Sequence, residues 1–184
     1  DPERTQRVNG DAPITLLNEA KKVNPRVRFC QASSAEIFSR ENSAPQDENA
    51  VYGPTNPYGV AKLSAQQEIK RQREEEGVFG CSAILYNHES PKRGEKFVTR
   101  KITLTLAKIK LGLASELEIG NVMSVRDWGF AGDYMEAMWM MLQRDIADDY
   151  VISTGVPHTV KDFITIAAGV LGLTLNWEGE GEQE

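Results

Sequence analysis

The sequence has no long hydrophobic run, no basic excess and little cysteine or histidine, and each absence narrows its possible roles. No apolar stretch among its 184 residues approaches the roughly 18 that would cross a membrane. The amino terminus has no signal-peptide pattern. A net charge of −6 argues against a surface that coats nucleic acid. These features predict a cytoplasmic protein with neither a membrane nor a nucleic-acid partner.

Cysteine is too scarce for a disulfide framework or a zinc site. The chain has two cysteines, Cys30 and Cys81, and both lie in apolar segments typical of strands. Neither has a second ligand at the spacing of a zinc motif. The sequence therefore predicts two buried, reduced thiols rather than a disulfide, and it predicts no metal site.

The sequence does contain an alternation of strand and helix signals. Apolar strand-like segments occur at 27–32, 81–86, 117–119 and 150–153. Helical periodicity and capping signals predict helices at 11–23, 57–77, 97–111, 133–143 and 159–172. Near-continuous apolar strands between helices are typical of a parallel sheet covered on both faces, which predicts an α/β, doubly wound fold. The acidic, glycine-rich tail at 178–184 is predicted to be disordered.

A tyrosine and a lysine stand four residues apart in the segment Asn56-Pro57-Tyr58-Gly59-Val60-Ala61-Lys62. Asn56 is a good N-cap and Pro57 suits the first helical position, so Tyr58 is predicted in the first turn of a helix. At this spacing the two side chains share a face, and the lysine ammonium favours the phenolate form of the tyrosine. The pair could act in proton transfer. An exposed tyrosine on an amphipathic helix is the alternative interpretation.

Ser34 and Glu36 precede this helix, at the predicted end of the strand 27–32. On an extended segment, side chains two residues apart project to the same side, so the hydroxyl and the carboxylate would lie together. A turn hydroxyl and an exposed carboxylate are the alternative interpretation. Together with Tyr58 and Lys62, these groups could carry out proton and hydride chemistry on a sugar.

Five segments resemble the extended short-chain dehydrogenase/reductases, and among them the GDP-mannose 4,6-dehydratases. Two segments mark the wider family: Gln31-Ala32-Ser33-Ser34-Ala35-Glu36 and Asn56-Pro57-Tyr58-Gly59-Val60-Ala61-Lys62. Three favour the dehydratases over related epimerases and reductases: Asn87-His88-Glu89-Ser90-Pro91-Lys92-Arg93-Gly94, Phe97-Val98-Thr99-Arg100-Lys101-Ile102 and Arg126-Asp127-Trp128-Gly129. The resemblance covers nearly the whole chain and implies a Rossmann-like enzyme of nucleotide-sugar metabolism.

The resemblance implies conversion of GDP-mannose to GDP-4-keto-6-deoxymannose, with NADP as an internal hydride carrier. Tyr58 would deprotonate the sugar 4-hydroxyl, and Lys62 would hold the nicotinamide ribose. Ser34, where the family usually has threonine, would hydrogen-bond the same hydroxyl. Glu36 would remove the C5 proton and assist departure of the 6-hydroxyl.

The resemblance also implies two sets of ligand-binding residues. Four side chains would bind NADP: Tyr58, Lys62, His88 and Arg93. Three would bind GDP-mannose: Asn87, Lys101 and Arg126. Arginine suits phosphate because its planar guanidinium bonds two oxygens at once. Structural or solvated roles are the alternative for these side chains, and Lys101 could simply extend to solvent from a helix.

A glycine-rich turn after the first strand is missing, although a dinucleotide-binding fold uses one to approach the cofactor pyrophosphate. The resemblance also begins partway into the family's length. We therefore expect a partial Rossmann-like, NADP-binding sheet domain in 1–86, rejoined by about 128–155. A smaller GDP-sugar-binding region, incomplete at its C-terminus, is expected in 87–127 and 156–184.

These features together predict a fragment or truncated relative of a dehydratase, inactive by itself, whose parent is a homo-oligomer such as a dimer or tetramer. Two alternatives stay open. The parent enzyme could instead be a GDP-4-keto-6-deoxy-sugar reductase or a nucleotide-sugar epimerase. The chain could also be a non-catalytic module for binding or oligomerisation.

Overall fold

The computed structural model of the chain describes residues 1–42 and 45–179. These residues form two compact units. The first unit comprises Asp1–Tyr86 and Gly132–Ser153, and the second comprises Asn87–Ala131 and the chain from Thr154 onward. Each unit has its own sheet and its own apolar core. Among the described residues, no helix has both the length and the hydropathy needed to cross a membrane.

The regular elements alternate along the chain. In order they are α1 (Pro2–Gln6), a π-helical segment (Arg7–Asp11), α2 (Ala12–Val23), β1 (Arg28–Ala32), a 3-10 turn (Ala35–Ile37), α3 (Pro57–Glu76), β2 (Phe79–Leu85), β3 (Asn87–Glu89), α4 (Val98–Lys110), β4 (Val125–Phe130), α5 (Ala131–Met141), β5 (Tyr150–Ile152), β6 (Pro157–Thr159) and α6 (Val160–Val170).

The sheet of the first unit is parallel, with the order β1-β2-β5. Successive side chains of β2 enter different apolar clusters, because neighbouring residues of a strand point to opposite faces. One cluster, against α5, contains Cys81, Ala83, Leu85, Tyr134 and Met141. The other contains Ile37, Phe38 and Ile84, with Leu63 of α3 packed against it. Helices on both faces of a parallel sheet confirm the predicted doubly wound α/β fold.

The second unit is built on the sheet β3-β4-β6, in which β3 is parallel and β6 antiparallel to β4. Its core is an apolar cluster of Ile102, Leu106, Val122, Val160, Ile164 and Ala168. Helix α6 begins with the predicted capping box. The Thr159 hydroxyl accepts a hydrogen bond from the Asp162 N–H at 3.0 Å, and the Asp162 carboxylate accepts one from the Thr159 N–H at 2.9 Å.

Some sequence-based boundaries differ from the structure. The predicted strand at 117–119 is wrong: these residues have no regular secondary structure, and Leu117 and Ile119 instead pack against the core of the second unit. Among the strands, the prediction omits β3, β4 and β6. β3 and β6 are short and largely polar, and β4 carries the charged residues Arg126 and Asp127 instead of a continuous apolar run. Of the predicted disordered tail, residues 180–184 lie outside the described part of the chain.

Candidate active site

Helix α3 begins as its sequence predicts. The Asn56 side chain accepts a hydrogen bond from the Gly59 N–H at 2.8 Å. Pro57 occupies the first helical position, where its missing N–H forfeits no helical hydrogen bond. Tyr58 follows in the first turn and is 41% exposed. The phenol is therefore accessible to a ligand, at a helix end whose dipole favours negative charge.

Lys62 lies between Tyr58 and the end of β1. Its ammonium is 5.4 Å from the centre of the Tyr58 ring and donates a hydrogen bond of 3.0 Å to the carbonyl oxygen of Ala32, the last residue of β1. Burial lowers the pKa of Lys62, because a low-dielectric environment disfavours the charged form. The two side chains are thus close in space at the carboxyl end of a parallel strand, where α/β folds commonly bind ligands.

Ser34 and Glu36 are part of a 3-10 turn rather than the extended segment that the sequence predicts. Ser34 caps this turn: its Oγ accepts a hydrogen bond of 3.3 Å from the Glu36 N–H. A serine directly after a strand favours such a turn, because its hydroxyl oxygen competes for nearby backbone donors. This contact uses the oxygen of the hydroxyl as acceptor and does not use its proton.

The exposed side chain of Glu36 contacts the start of α3. Its Oε2 accepts a hydrogen bond of 2.7 Å from Nδ2 of Asn56. The same Asn56 side chain caps the helix through its oxygen. One amide therefore holds the Glu36 carboxylate beside the helical turn that carries Tyr58.

Gly59 permits this close approach and is missing from the sequence-based list of site residues. A Cβ at position 59 would lie 2.3 Å from the carbonyl oxygen of Glu36, much closer than non-bonded atoms approach. Glycine inside a helix is about 1 kcal/mol less favourable than alanine. A glycine in the first turn of an otherwise good helix is the signal in the sequence that indicates such a backbone contact.

A hydrogen-bonded chain joins the buried Ser33 and Gln66 to the exposed Tyr52. The Ser33 hydroxyl donates to Oε1 of Gln66 at 2.6 Å, and Nε2 of Gln66 donates to the Tyr52 hydroxyl oxygen at 3.3 Å. Partial burial raises the pKa of Tyr52, so this phenol keeps its proton at neutral pH. These contacts join the end of β1 to α3, the two elements that carry the predicted catalytic groups.

The other predicted ligand-binding residues lie in the second unit. Asn87 and His88 are on β3, and Arg126 is on the neighbouring strand β4. Arg126 is exposed, and its Nη1 donates a hydrogen bond of 2.7 Å to the carbonyl oxygen of Val125. Lys101 is exposed on α4. The sheet therefore carries three of these residues on neighbouring strands, with Asn87 and His88 pointing to opposite faces, while Lys101 comes from a helix.

Arg93 is held on two sides. Its guanidinium carbon is 3.6 Å from the centre of the Phe97 ring, and its Nε forms an ion pair of 3.1 Å with Glu89. The Glu89 carboxylate also accepts a hydrogen bond of 2.6 Å from the Thr99 hydroxyl. Because an arginine has five N–H donors, this arrangement orients the guanidinium and leaves donors for a ligand.

A cavity of about 540 Å³ lies beside Arg93 in the second unit, within the size range of small-molecule sites. Its walls include Arg93, Arg100, Thr103, Trp128, Phe130 and Phe163. The Nε1 of Trp128 is buried without a hydrogen-bond partner among the described residues. Sequence reasoning missed Arg100, because a helical arginine is ordinarily solvated. Two guanidinium groups and aromatic walls suit an anionic, partly planar ligand.

The structure thus groups the predicted residues by unit. The first unit holds a phenol, an ammonium, a hydroxyl and a carboxylate around the start of α3: Tyr58, Lys62, Ser34 and Glu36. The second unit holds the remaining candidates: Asn87, His88, Arg93, Lys101 and Arg126. The first set has the functional groups needed for acid–base chemistry, and the second has those needed to bind anions.

Known proteins are similar to this chain in sequence and in fold. The chain is 49% identical over 181 residues to GDP-mannose 4,6 dehydratase 2 of Arabidopsis thaliana, an alignment covering 96% of this chain and 48% of the relative. It is 44% identical over 185 residues to GDP-mannose 4,6 dehydratase 2 of Caenorhabditis elegans, covering 100% of this chain and 48% of the relative. The chain spans about half the length of the curated relatives it matches.

A solved structure, that of RMD from Pseudomonas aeruginosa complexed with NADPH, is also similar. It superposes with a TM-score of 0.88 at 27% identity, over 95% of this chain and 60% of that chain. The family model described as GDP-mannose 4,6 dehydratase matches residues 1–184. Since that match extends over the whole sequence, the chain belongs to the GDP-mannose 4,6 dehydratase family.

Proposed function

We propose that this chain is the catalytic and sugar-binding part of an enzyme that converts GDP-mannose to GDP-4-keto-6-deoxymannose with NADP. The observation that carries the proposal is the pairing of two acid–base groups at one helix start. Tyr58 stands in the first turn of α3, and the Glu36 carboxylate is bonded at 2.7 Å to the Asn56 cap of the same turn. A phenol and a carboxylate at one site suit a reaction that moves two different protons of one sugar.

Tyr58 acts as the base that takes the proton of the sugar 4-hydroxyl, and Ser34 donates a hydrogen bond to the same oxygen. Lys62 favours the phenolate through its positive charge. An ammonium has three donors and Ala32 accepts one, so Lys62 also has donors that fit the hydroxyls of a nicotinamide ribose. The bound cofactor would supply the redox chemistry, the reversible transfer of a hydride.

Glu36 separates dehydration from simple oxidation. A 4-keto group makes the neighbouring C5 proton acidic, and Glu36 removes that proton. The same carboxyl group then protonates the departing 6-hydroxyl, which leaves as water. Glu36 is exposed and has one oxygen bonded to Asn56, so its second oxygen is available for this role.

The second unit also contributes side chains that bind NADP and GDP-mannose. His88 and Arg93 bind NADP, and Asn87, Lys101 and Arg126 bind GDP-mannose. The ion pair and ring contact of Arg93 support its part, because a guanidinium already held in one orientation loses little freedom when it binds a phosphate.

The whole enzyme is a cytoplasmic homo-oligomer, a dimer or a tetramer. In the 184-residue chain, β1 pairs on one side only among the described residues, and this edge favours self-association of the chain itself. Light scattering of the purified protein measures its mass, and a monomer at micromolar concentration would contradict this assignment.

A chimera tests the proposed reaction. Residues 1–184 replace the matching half of the Arabidopsis relative, and GDP-mannose turnover with NADP is followed by mass spectrometry. We expect a product that has lost one water. Glu36→Gln should slow both this loss and the exchange of the C5 proton with deuterated water, without weakening GDP-mannose binding.

Circular dichroism and NADPH fluorescence establish that the chimera is folded and binds its cofactor. A folded, NADPH-binding chimera that only epimerises or oxidises the sugar would overturn the dehydratase assignment. Undiminished C5 exchange in Glu36→Gln would remove Glu36 as the C5 base.

A further inference from the structure

The two cysteines of the chain are direct neighbours in the sheet of the first unit. Cys30 of β1 and Cys81 of β2 are register partners, and both thiols are free. Paired residues of neighbouring strands lie about 4.8 Å apart and point to the same face. A disulfide requires about 4.4–6.8 Å between its Cα atoms. The backbone spacing of this pair is therefore within the Cα range of a disulfide.

The two thiols differ in exposure. Cys81 is fully buried, and its Sγ lies 3.4 Å from the carbonyl oxygen of Phe29. Cys30 is only partly buried and packs at the margin of the same apolar cluster, beside α5. Cys30 is therefore the more accessible of the two cysteines to a small oxidant, whereas Cys81 is surrounded by Cys30 and the apolar core.

Contact with the Cys81 side chain lowers the pKa of Cys30, and contact with Cys30 raises the pKa of Cys81. The backbone N–H of Ala83 lowers the pKa of Cys30 further, although burial opposes this shift. The thiolate form reacts with oxidants. The more accessible cysteine therefore also has the larger thiolate fraction.

We propose that Cys30 and Cys81 are a modification site, a dithiol that hydrogen peroxide converts to an intramolecular disulfide. The Cys30 thiolate attacks one peroxide oxygen, and the O–O bond breaks as hydroxide departs. Cys30 is then a sulfenic acid. The Cys81 sulfur then attacks the Cys30 sulfur, and the S–O bond breaks with release of water. Overall the two thiols lose two electrons and two protons, and one peroxide becomes two waters. This site does not depend on the proposed function.

The test uses the purified 184-residue chain. The chain is treated with roughly equimolar peroxide in the presence of dimedone, which traps sulfenic acid, then denatured, alkylated with N-ethylmaleimide and weighed intact. We expect a species that has lost two hydrogens, carries no label and regains two alkylation sites after dithiothreitol. Cys81→Ser should accumulate the dimedone adduct on Cys30, and Cys30→Ser should remain unoxidised.

The same reaction in urea is the matched control for geometry. In the folded chain, Cys81 should capture the sulfenic acid before dimedone does, so the ratio of disulfide to adduct should exceed that in urea by at least about tenfold. Equal ratios would show that the sheet does not position the pair. Three outcomes would each overturn the proposal: two alkylated cysteines after peroxide, a sulfinic acid on Cys30, or a dimer linked through Cys30. All three can be observed with the unmodified sequence.

Discussion

The two ends of helix α3 use polar side chains in opposite ways. At its start, Tyr58 and Glu36 are exposed, and Lys62 is held by one backbone carbonyl. At its end, Arg71 and Arg73 are bonded to carboxylates of the same chain. The charges at the end stabilise the fold, whereas the groups at the start are available to a ligand. The comparison contrasts a candidate site, whose acid–base groups are open to a ligand, with a network whose charges are paired with one another.

The end of α3 contains a second contrast, between two arginines two residues apart. Arg73 and Asp149 form a bonded pair at 2.9 Å with side chains only 13% and 9% exposed, and Asp149 also accepts a hydrogen bond of 2.8 Å from the Ser82 N–H. Arg71 contacts Glu68, Glu75 and Glu76 at the surface. Burial, and not the number of partners, decides how much each arginine contributes, because exposed pairs are screened by water.

The largest effect should come from the start of α3. Tyr58→Phe in the chimera should reduce turnover of GDP-mannose by about 10²–10⁴-fold, since it removes the proposed base. Steady-state kinetics measure this loss, and calorimetry should find GDP-mannose binding and thermal unfolding nearly unchanged, because the phenol is exposed. More than about a tenth of the parental turnover would rule out Tyr58 as the base.

The buried pair should give the largest effect on stability. Asp149→Asn should lower the free energy of unfolding of the 184-residue chain by about 3–5 kcal/mol, because it leaves Arg73 buried without its partner charge. Urea unfolding measures this change. Asp148→Asn is the matched control: Asp148 is 69% exposed and 3.8 Å from Arg73, so its loss should change stability by less than about 1 kcal/mol. Equal effects would contradict the role of burial.

A smaller effect on stability is expected at Gly59, in the first turn of α3. Gly59→Ala should destabilise the chain by about 1–3 kcal/mol, because the new Cβ would lie 2.3 Å from the carbonyl oxygen of Glu36 and must displace backbone. Gly169→Ala in α6 is the control, since a Cβ there meets nothing within 4 Å and should add helix stability of up to about 1 kcal/mol. A stabilised Gly59→Ala chain would mean that the close contact is not maintained.

The smallest effect on stability should come from the carboxylates that contact Arg71 at the surface. Hydrogen bonds from Arg71 and then Gln72 lower the pKa of Glu68 from 4.5 to about 2. A depressed folded pKa stabilises the chain above the unfolded value, and this contribution is lost as pH falls from 4.5 towards about 2. Glu68→Gln should therefore flatten the pH dependence of stability in that window. Urea unfolding at several pH values compares the slopes, and equal slopes would contradict the prediction.

Local signals explain what could be predicted from the sequence. Asn56 and Pro57 fix the start of α3, and the Thr159 capping box fixes the start of α6, because these contacts span only a few residues. The alternating apolar segments likewise predict the doubly wound sheet. Each of these features depends on residues that are close together in the sequence.

Contacts between distant segments could not be predicted in this way. The 3-10 turn at Ala35–Ile37 replaces the expected extended segment, and the role of Gly59 depends on the backbone of Glu36. Leu117 and Ile119 alternate like a strand, although tertiary packing alone partly buries them. The pairing of Arg73 with Asp149 joins residues 76 positions apart, and no local pattern specifies it.

The choice of asparagine at position 56 carries more information than a helix start requires. Aspartate caps helices as well as asparagine does. An aspartate here would set two carboxylates about 2.7 Å apart with no donor between them. An amide has a fixed polarity, with its oxygen towards Gly59 and its nitrogen towards Glu36. This one residue therefore both caps α3 and holds the carboxylate of Glu36, 20 positions away, so a substitution that preserves the helix would still release that carboxylate.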